Sequence, residues 1–506
     1  MLSTAILFND YMVLQQGEDT KIWGKGIPQS EIEIRIQDNV VKTTVDHSGN
    51  WIATMNLLYV SEDETLSITS GEESIVIKHV AVGEVWIASG QSNMEFLLKY
   101  DEEAENAISH SNHSQIRFFD YPKTAYENHI QEDDFSDYGI WRPLDKPNAP
   151  FYSAVAYYFA HMVYQELKIP FGIVGCTWGG TPGCAWASED ILKSSSASVW
   201  VEEYEEAIKD LNILSYENDV KTNPMFQRKI KDNHPMIVKM NKGMTEIEMK
   251  SFMEKVAAMD IKPEVMGPLS PLRPSGLYEN MVKNIAPYTA KGVLWYQGES
   301  DDVHGEIYDE ALKAVIFSFR ELWYDKFPFL VVQLAPFERW FGTKAIDFVT
   351  LREQQEKVAN TLEHVYITNI MDAGMQYDIH PKKKRPAGER LALLALGKVY
   401  GKDIVCEAPE VINFQIMEGK VLINFRNVAC GLMKEEEVDA YEVMIDNKSI
   451  TDFEINITKD SMVLIHKDIT INKSIHIKYG KKNYCICNIK NSNGIPVKPF
   501  EISGGK

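Results

Sequence analysis

The sequence predicts an α/β protein: a three-layer α/β/α domain on a parallel sheet, flanked by N- and C-terminal β-sandwich-like regions. Three observations carry that expectation. Between residues 81 and 403, short apolar runs alternate with helical stripes, and strands that are apolar throughout read as a parallel sheet covered on both faces. On either side, apolar and polar residues alternate at a spacing of two between turn signals, the pattern of small antiparallel sandwiches. Several central strands end in glycine and polar residues, the place where open α/β sheets bind ligands. The expected division is 1–80, 81–403 and 404–506.

In chain order, Lys21–Trp23, Glu31–Ile36, Trp51–Met55, Leu66–Thr69 and Ile75–Ile77 are short strands divided by turns such as Gly26-Ile27-Pro28. Val85–Ser89 opens the central region and is followed by a polar, loop-rich stretch. A helix is expected at Tyr152–Leu167, where Val155, Phe159 and Met162 form a stripe. Strands follow at Phe171–Cys176, Gly292–Tyr296, Phe329–Leu334 and Val365–Ile370, with helices at Tyr308–Trp323, Leu351–Leu362 and Ala387–Val399. Residues 189–275 interrupt the alternation as a helical insertion or lid, in which Thr245-x-x-Glu248 has the form of a capping box. The last region returns to β alternation, for example at Val421–Phe425 and Ile475–Lys478.

A chain of 506 residues is too long for one simple core. Its net charge of −21 excludes nucleic acid as a partner, because phosphate binding needs a basic stripe. The run Lys382, Lys383, Lys384 and Arg385 reads either as a local anion site or, preferably, as a solvated turn before a helix. No stretch is long and apolar enough to span a bilayer. The start, MLSTAILFNDYMV, lacks a basic n-region and a full apolar h-region, so a cytoplasmic protein is expected, with a trimmed secreted form as the alternative. The six cysteines are sparse and read as reduced thiols. There is no His-Glu-x-x-His, no paired Cys-x-x-Cys and no lysine-bearing phosphate loop, so neither metal nor cofactor is expected.

The chemistry concentrates in four stretches. In GEVWIASGQSNMEF (Gly83–Phe96) a strand ends in a glycine turn that presents Ser92. Such a turn can hold a hydroxyl above a sheet and aim backbone N–H groups at an oxyanion. The Gly-x-Ser-x-Gly elbow is absent, and an ordinary turn is the alternative. GIVGCTWGGT (Gly172–Thr181) ends in paired glycines, GVLWYQGESD (Gly292–Asp301) in Gln and Glu, and DIHP (Asp378–Pro381) places a histidine before a helix. A serine needs a base to take its proton and a third group to orient that base.

GQSNM (90–94), TWGGT (177–181), WYQGESD (295–301) and DIHP (378–381), together with LFNDYMVLQQ (7–16) and IPVKPF (495–500), resemble the sialate O-acetylesterase family. That family belongs to the SGNH hydrolases and is related to the acetyl xylan esterases. The resemblance implies a carbohydrate O-acetylesterase acting on an acetylated sugar through an acyl-enzyme. It makes Ser92 the nucleophile and His380 the base, with an oxyanion hole from the Ser92 and Gly180 N–H groups and the Gln297 amide. Gly179 and Gly180 could instead serve only a tight turn. SGNH enzymes place an aspartate three residues before the histidine, where this chain has Tyr377. The orienting acid is therefore Glu299, the preferred candidate, or Asp378. Asp378 could instead cap a helix, and Glu299 could pair with Arg390. Trp186, Trp200 and Tyr204 either stack on the sugar or belong to the core. The competing readings are an acetyl xylan or other polysaccharide deacetylase, and a carbohydrate-binding protein with an inactive esterase core.

Overall fold

The computed structural model describes residues 1–222, 235–257, 265–324, 326–340, 343–435 and 440–505. Its centre is a sheet of seven strands: β1 (Glu73–Gly90), β2 (Asn112–Asp120), β3 (Trp141–Asp145), β4 (Phe171–Thr177), β5 (Val293–Tyr296), β6 (Phe329–Val332) and β7 (Val365–Thr368). They lie in the order β3-β2-β4-β1-β5-β6-β7. All neighbours run parallel except the edge pair β3 and β2. β5 and β6 are buried at every position, as strands covered on both faces must be. The helices that bear on the site and its sheet include α1 (Ser92–Glu95), α2 (Ala154–Leu167), α3 (Tyr308–Leu322), α4 (Phe348–Thr361) and α5 (Arg385–Leu394). α2 packs against α5, and α3 against α4. Gly388 makes the first contact close: a Cβ there would lie 2.5 Å from the Val155 carbonyl oxygen. The α/β class expected from the alternation is the fold observed.

Two features depart from the sequence reading. β2 and β3 occupy a stretch expected to be loop. The apolar run of β2 is interrupted by Arg117, which is buried because its guanidinium donates to the carbonyls of Tyr11 (3.0 Å), Glu62 (3.1 Å) and His79. A charged residue in mid-run hides the strand from a hydrophobicity pattern. The second departure is that no break falls at residue 80. β1 pairs antiparallel with Ser61–Ser70 and parallel with Val13–Gln15, then continues into the central sheet. Gly83 does not turn the chain; it lets the strand pass Pro170, whose carbonyl oxygen lies 1.9 Å from where a Cβ would sit. The N-terminal strands and the central sheet therefore share one hydrophobic core.

The C-terminal residues form two 4-stranded sheets around a second core that includes Val421, Ile423, Leu464 and Ile477. Side chains from the loop after β7 and from α5 tie this unit to the rest. Arg390 donates to Asp372 through both terminal nitrogens, at 2.7 and 2.8 Å, and to the Gly494 carbonyl at 2.6 Å. Lys490 lies 3.0 Å from the same carboxylate. These cations outweigh burial and hold the Asp372 carboxyl down at about 2. Its contribution to stability is complete above its unfolded value near 4 and is lost as pH falls through about 2.

Removing one partner of a buried ion pair leaves the other charge stranded, at a cost of about 3–5 kcal/mol. Arg390→Met is therefore expected to lower the free energy of unfolding by that amount, read as a lower denaturant midpoint, with Lys490 keeping the loss toward the low end. An unchanged midpoint would contradict the interlock.

Candidate active site

β4, β1 and β5 are neighbours, and Thr177 and Tyr296 both pair with Gly90, so the three strands end level. Gly90 has φ +132°, and a Cβ would stand 2.2 Å from the Tyr296 carbonyl oxygen, so only glycine fits this turn. The chain then enters α1, which begins at Ser92. As a first-turn residue, Ser92 has a backbone N–H with no intrahelical acceptor.

The DIHP loop brings His380 onto this serine: His380 Nε2 is 2.8 Å from Ser92 Oγ. The imidazole is 6% exposed and lies edge-on to Trp340, with ring centroids 5.1 Å apart. Burial, reinforced by the charges of Lys384 and Lys382, pushes its pKa well below 6.5. A neutral imidazole accepts at one nitrogen and donates at the other, so Nε2 can take the serine proton when Nδ1 carries the ring hydrogen. Among the described residues Nδ1 has no hydrogen-bond partner, and Asp378 Oδ1 lies 3.7 Å from it. Asp378 also accepts the His380 backbone N–H at 2.8 Å and meets Lys382 Nζ at 2.9 Å. Its local hydrogen bond is thus to the backbone of the histidine it faces.

Glu299 is buried, and its Oε1 accepts from Asn93 Nδ2 at 2.5 Å while Oε2 has no hydrogen-bond partner among the described residues. It makes no ion pair with His380 among the described residues, and Arg390 is taken by Asp372. Burial raises the Glu299 pKa.

The loops after β4 and β5 complete the surroundings. Gly179 is pressed against the nucleophile turn; a Cβ on it would lie 3.1 Å from Ser92 Cβ. Its N–H donates to Glu95 Oε2 at 2.7 Å, and Lys123 holds the other oxygen of that carboxylate at 2.5 Å. Gly180 has φ +79° and lines the cavity. Gln297 differs from the expectation. Its amide nitrogen donates to the Thr181 carbonyl at 3.1 Å and to Asp301 Oδ2 at 2.5 Å, and its Oε1 accepts from Tyr308 at 2.9 Å. An amide has two protons, and both are spent, so Gln297 braces two loops instead of facing an oxyanion.

A cavity of about 1090 Å³ opens over Ser92 and His380, with Trp178, Tyr126, Trp340 and Gly180 in its wall. Tyr216, Lys221 and Asn241 bring the helical insertion to its rim; residues 223–234 and 258–264 of that insertion lie outside the described residues. Its Thr245–Glu248 capping box forms, with the Glu248 N–H donating to Thr245 Oγ1 at 3.3 Å and Glu248 accepting the Thr245 N–H at 3.0 Å. Trp186 and Trp200 are core residues, and Trp200 packs against His304. The basic run is solvated only in part: Lys383 is exposed, whereas Lys384 is 1% exposed. Sequence reasoning also passed over Asn93 and Glu95. The available signal was position, since both follow Ser92 within a single turn and must face whatever surrounds it. Among the described residues, no group of three or more His, Cys, Asp or Glu could hold a metal ion, and no helix is long and apolar enough to cross a membrane.

Gln297→Ala would take the donor from the buried Thr181 carbonyl and one of two donors from Asp301, which keeps the Gly183 N–H, at a cost of about 1–3 kcal/mol. A fall in melting temperature alongside any loss of turnover is expected. A variant of unchanged stability that loses kcat alone would return the amide to the oxyanion.

Residues 202–396 match the family described as carbohydrate esterase, sialic acid-specific acetylesterase. Gln297, Glu299, Asp378 and His380 fall inside the match, and Ser92 precedes it. Sialate O-acetylesterase of Rattus norvegicus is 25% identical over 497 residues, covering 90% of this chain and 82% of that protein. The Homo sapiens sialate O-acetylesterase is 23% identical, covering 82% and 74%. A carbohydrate acetylesterase from Xanthomonas citri superposes with a TM-score of 0.73 at 24% identity, covering 99% of both chains, and so shares the fold. These matches make the chain similar to the sialate O-acetylesterases, and an esterase is the activity they support.

Proposed function

We propose that the protein hydrolyses O-acetyl esters on sugar hydroxyls by a serine mechanism. The observation that carries the reading is the 2.8 Å contact between Ser92 Oγ and a buried, neutral His380 at the floor of the cavity. Ser92 Oγ attacks the acetyl carbonyl carbon as His380 Nε2 takes its proton. The carbonyl electrons move onto oxygen, where the Ser92 and Gly180 N–H groups face the developing charge. Collapse breaks the bond to the sugar oxygen, which takes the proton from His380. A water molecule, deprotonated by the same imidazole, then releases acetate from the acyl-serine.

Asp378 is the better-placed orienting acid, because its carboxylate approaches Nδ1 while Glu299 is engaged with Asn93. This reverses the preference drawn from sequence. The substrate is an O-acetylated sugar, with 9-O-acetylated sialic acids first on the strength of the relatives. Acetylated xylo-oligosaccharides are the second class, since the cavity has room beyond a single sugar. Acetate release across both classes separates the two, and an inactive binding protein would release none.

Ser92→Ala is expected to abolish acetate release in a folded protein; wild-type turnover would refute the mechanism. Asp378→Asn should lose most of kcat and Glu299→Gln much less, because glutamine can still accept from Asn93. The opposite ranking would return the acid role to Glu299. The acidic limb of kcat/KM should lie below pH 6.5: the base works only when neutral, and its lowered pKa keeps it neutral as pH falls. A limb above pH 6.5 would contradict the environment described for His380.

A further inference from the structure

Lys384, Asn93 and Glu299 come from three separate segments of the chain and meet beneath the site. We propose that Lys384 and Glu299 are positioning residues that act through Asn93, a buried bridge fixing the nucleophile turn against the histidine loop. The inference rests on the serine mechanism above and extends it to residues outside the substrate cavity.

Asn93 follows Ser92, and its side chain is used in full. Nδ2 donates to Glu299 Oε1 at 2.5 Å and to the carbonyl of Ile379, the residue before His380, at 3.0 Å. Oδ1 accepts from the Lys384 ammonium. One amide thus holds the loop after β1, the loop after β5 and the loop that carries the base. Because Asn93 and Ile379 are the chain neighbours of Ser92 and His380, their hydrogen bond sets how closely the reacting pair can approach. Asn93, Lys384 and Glu299 do not line the cavity, so their influence on substrate runs through Ser92 and His380.

A lysine here is not explained by packing. Its ammonium lies 4.6 Å from the Phe96 ring centroid and 5.6 Å from that of Tyr296, and its backbone N–H donates to Asp101 Oδ2 at 2.9 Å. A methionine of similar length would fill the same space without desolvating a charge. Burial lowers the Lys384 pKa to about 7, which shows how weakly the site compensates it.

The charge also reaches the base. Asp101, Glu299 and Asp378 face Lys384 as anions, and Lys382 as a second cation. His380 faces Ser92, Asp378, Lys382 and Lys384. A cation beside an imidazole disfavours its protonation, so removing Lys384 raises the pKa of the base and moves the acidic limb of kcat/KM to higher pH.

The test compares Lys384→Met and Asn93→Leu with wild type, using 4-nitrophenyl acetate for kcat, KM and the pH profile, and circular dichroism and melting for the fold. Misplacing a reacting group by about 1 Å costs on the order of 10²-fold. Losses of kcat approaching that size are expected in both variants with KM nearly unchanged. The acidic limb should move up only in Lys384→Met, because Asn93→Leu keeps both lysines. Wild-type kcat with an unmoved limb in Lys384→Met, or a change in KM alone, overturns the proposal. If Lys384→Met does not fold, a folded Asn93→Leu with wild-type kcat overturns it, and one with reduced kcat and an unmoved limb supports it. Fluorophosphonate labelling of Ser92 in the wild type is scored separately, so failure of the serine mechanism is distinguishable from failure of the bridge.

Discussion

The hydrogen bond between Ser92 and His380 joins residues 288 positions apart, and everything around it serves to make that meeting reproducible. The parallel register does most of this. Gly90 pairs with Thr177 on one side and Tyr296 on the other, so three loops leave the sheet at one level beside the point where the strand order turns back on itself. Glycine is required at Gly90, where the backbone passes closest, and a Cβ at Gly179 would crowd Ser92. A serine on an edge strand would meet neither the β4 loop nor the histidine.

Around this contact the protein buries more polar groups than packing requires, and each has a named task. Gln297, Asp301 and Tyr308 lock the β5 loop to the β4 loop. Glu95 and Lys123 hold the Gly179 peptide. Arg390 and Asp372 tie the C-terminal sheets to α5, which begins shortly after the histidine loop. Desolvation then lowers the His380 pKa, as the proposed role of base requires. Rigidity and electrostatics have the same source here: polar side chains withdrawn from water and bonded to one another.

The alternation of apolar strands and helical stripes made the α/β class legible, because burial on both faces leaves a direct mark on composition. The motifs made Ser92, Gly180 and His380 legible as companions, since glycine, serine and histidine at strand ends carry chemistry in their identity. Other features left no such mark. Arg117 interrupts a true strand because its charge is satisfied by carbonyls distant in sequence. Gln297 has the right residue type for an oxyanion donor, and only its partners reveal a brace. Asp378 and Glu299 are alike in chemistry; a separation of 3.7 Å from Nδ1 on one side and a bond to Asn93 on the other distinguish them. Lys384 was hidden among three other basic residues, and its burial is a property of the fold alone.

The central claim is that Ser92 forms the covalent bond to the acyl group. It is tested most directly by titrating the protein with a serine-directed fluorophosphonate while following acetate release and mapping the adduct by peptide mass spectrometry. The account predicts one adduct, on the peptide containing Ser92, with activity lost in proportion to its occupancy. Full activity in protein fully labelled at Ser92, or complete inactivation with the adduct elsewhere, would contradict it.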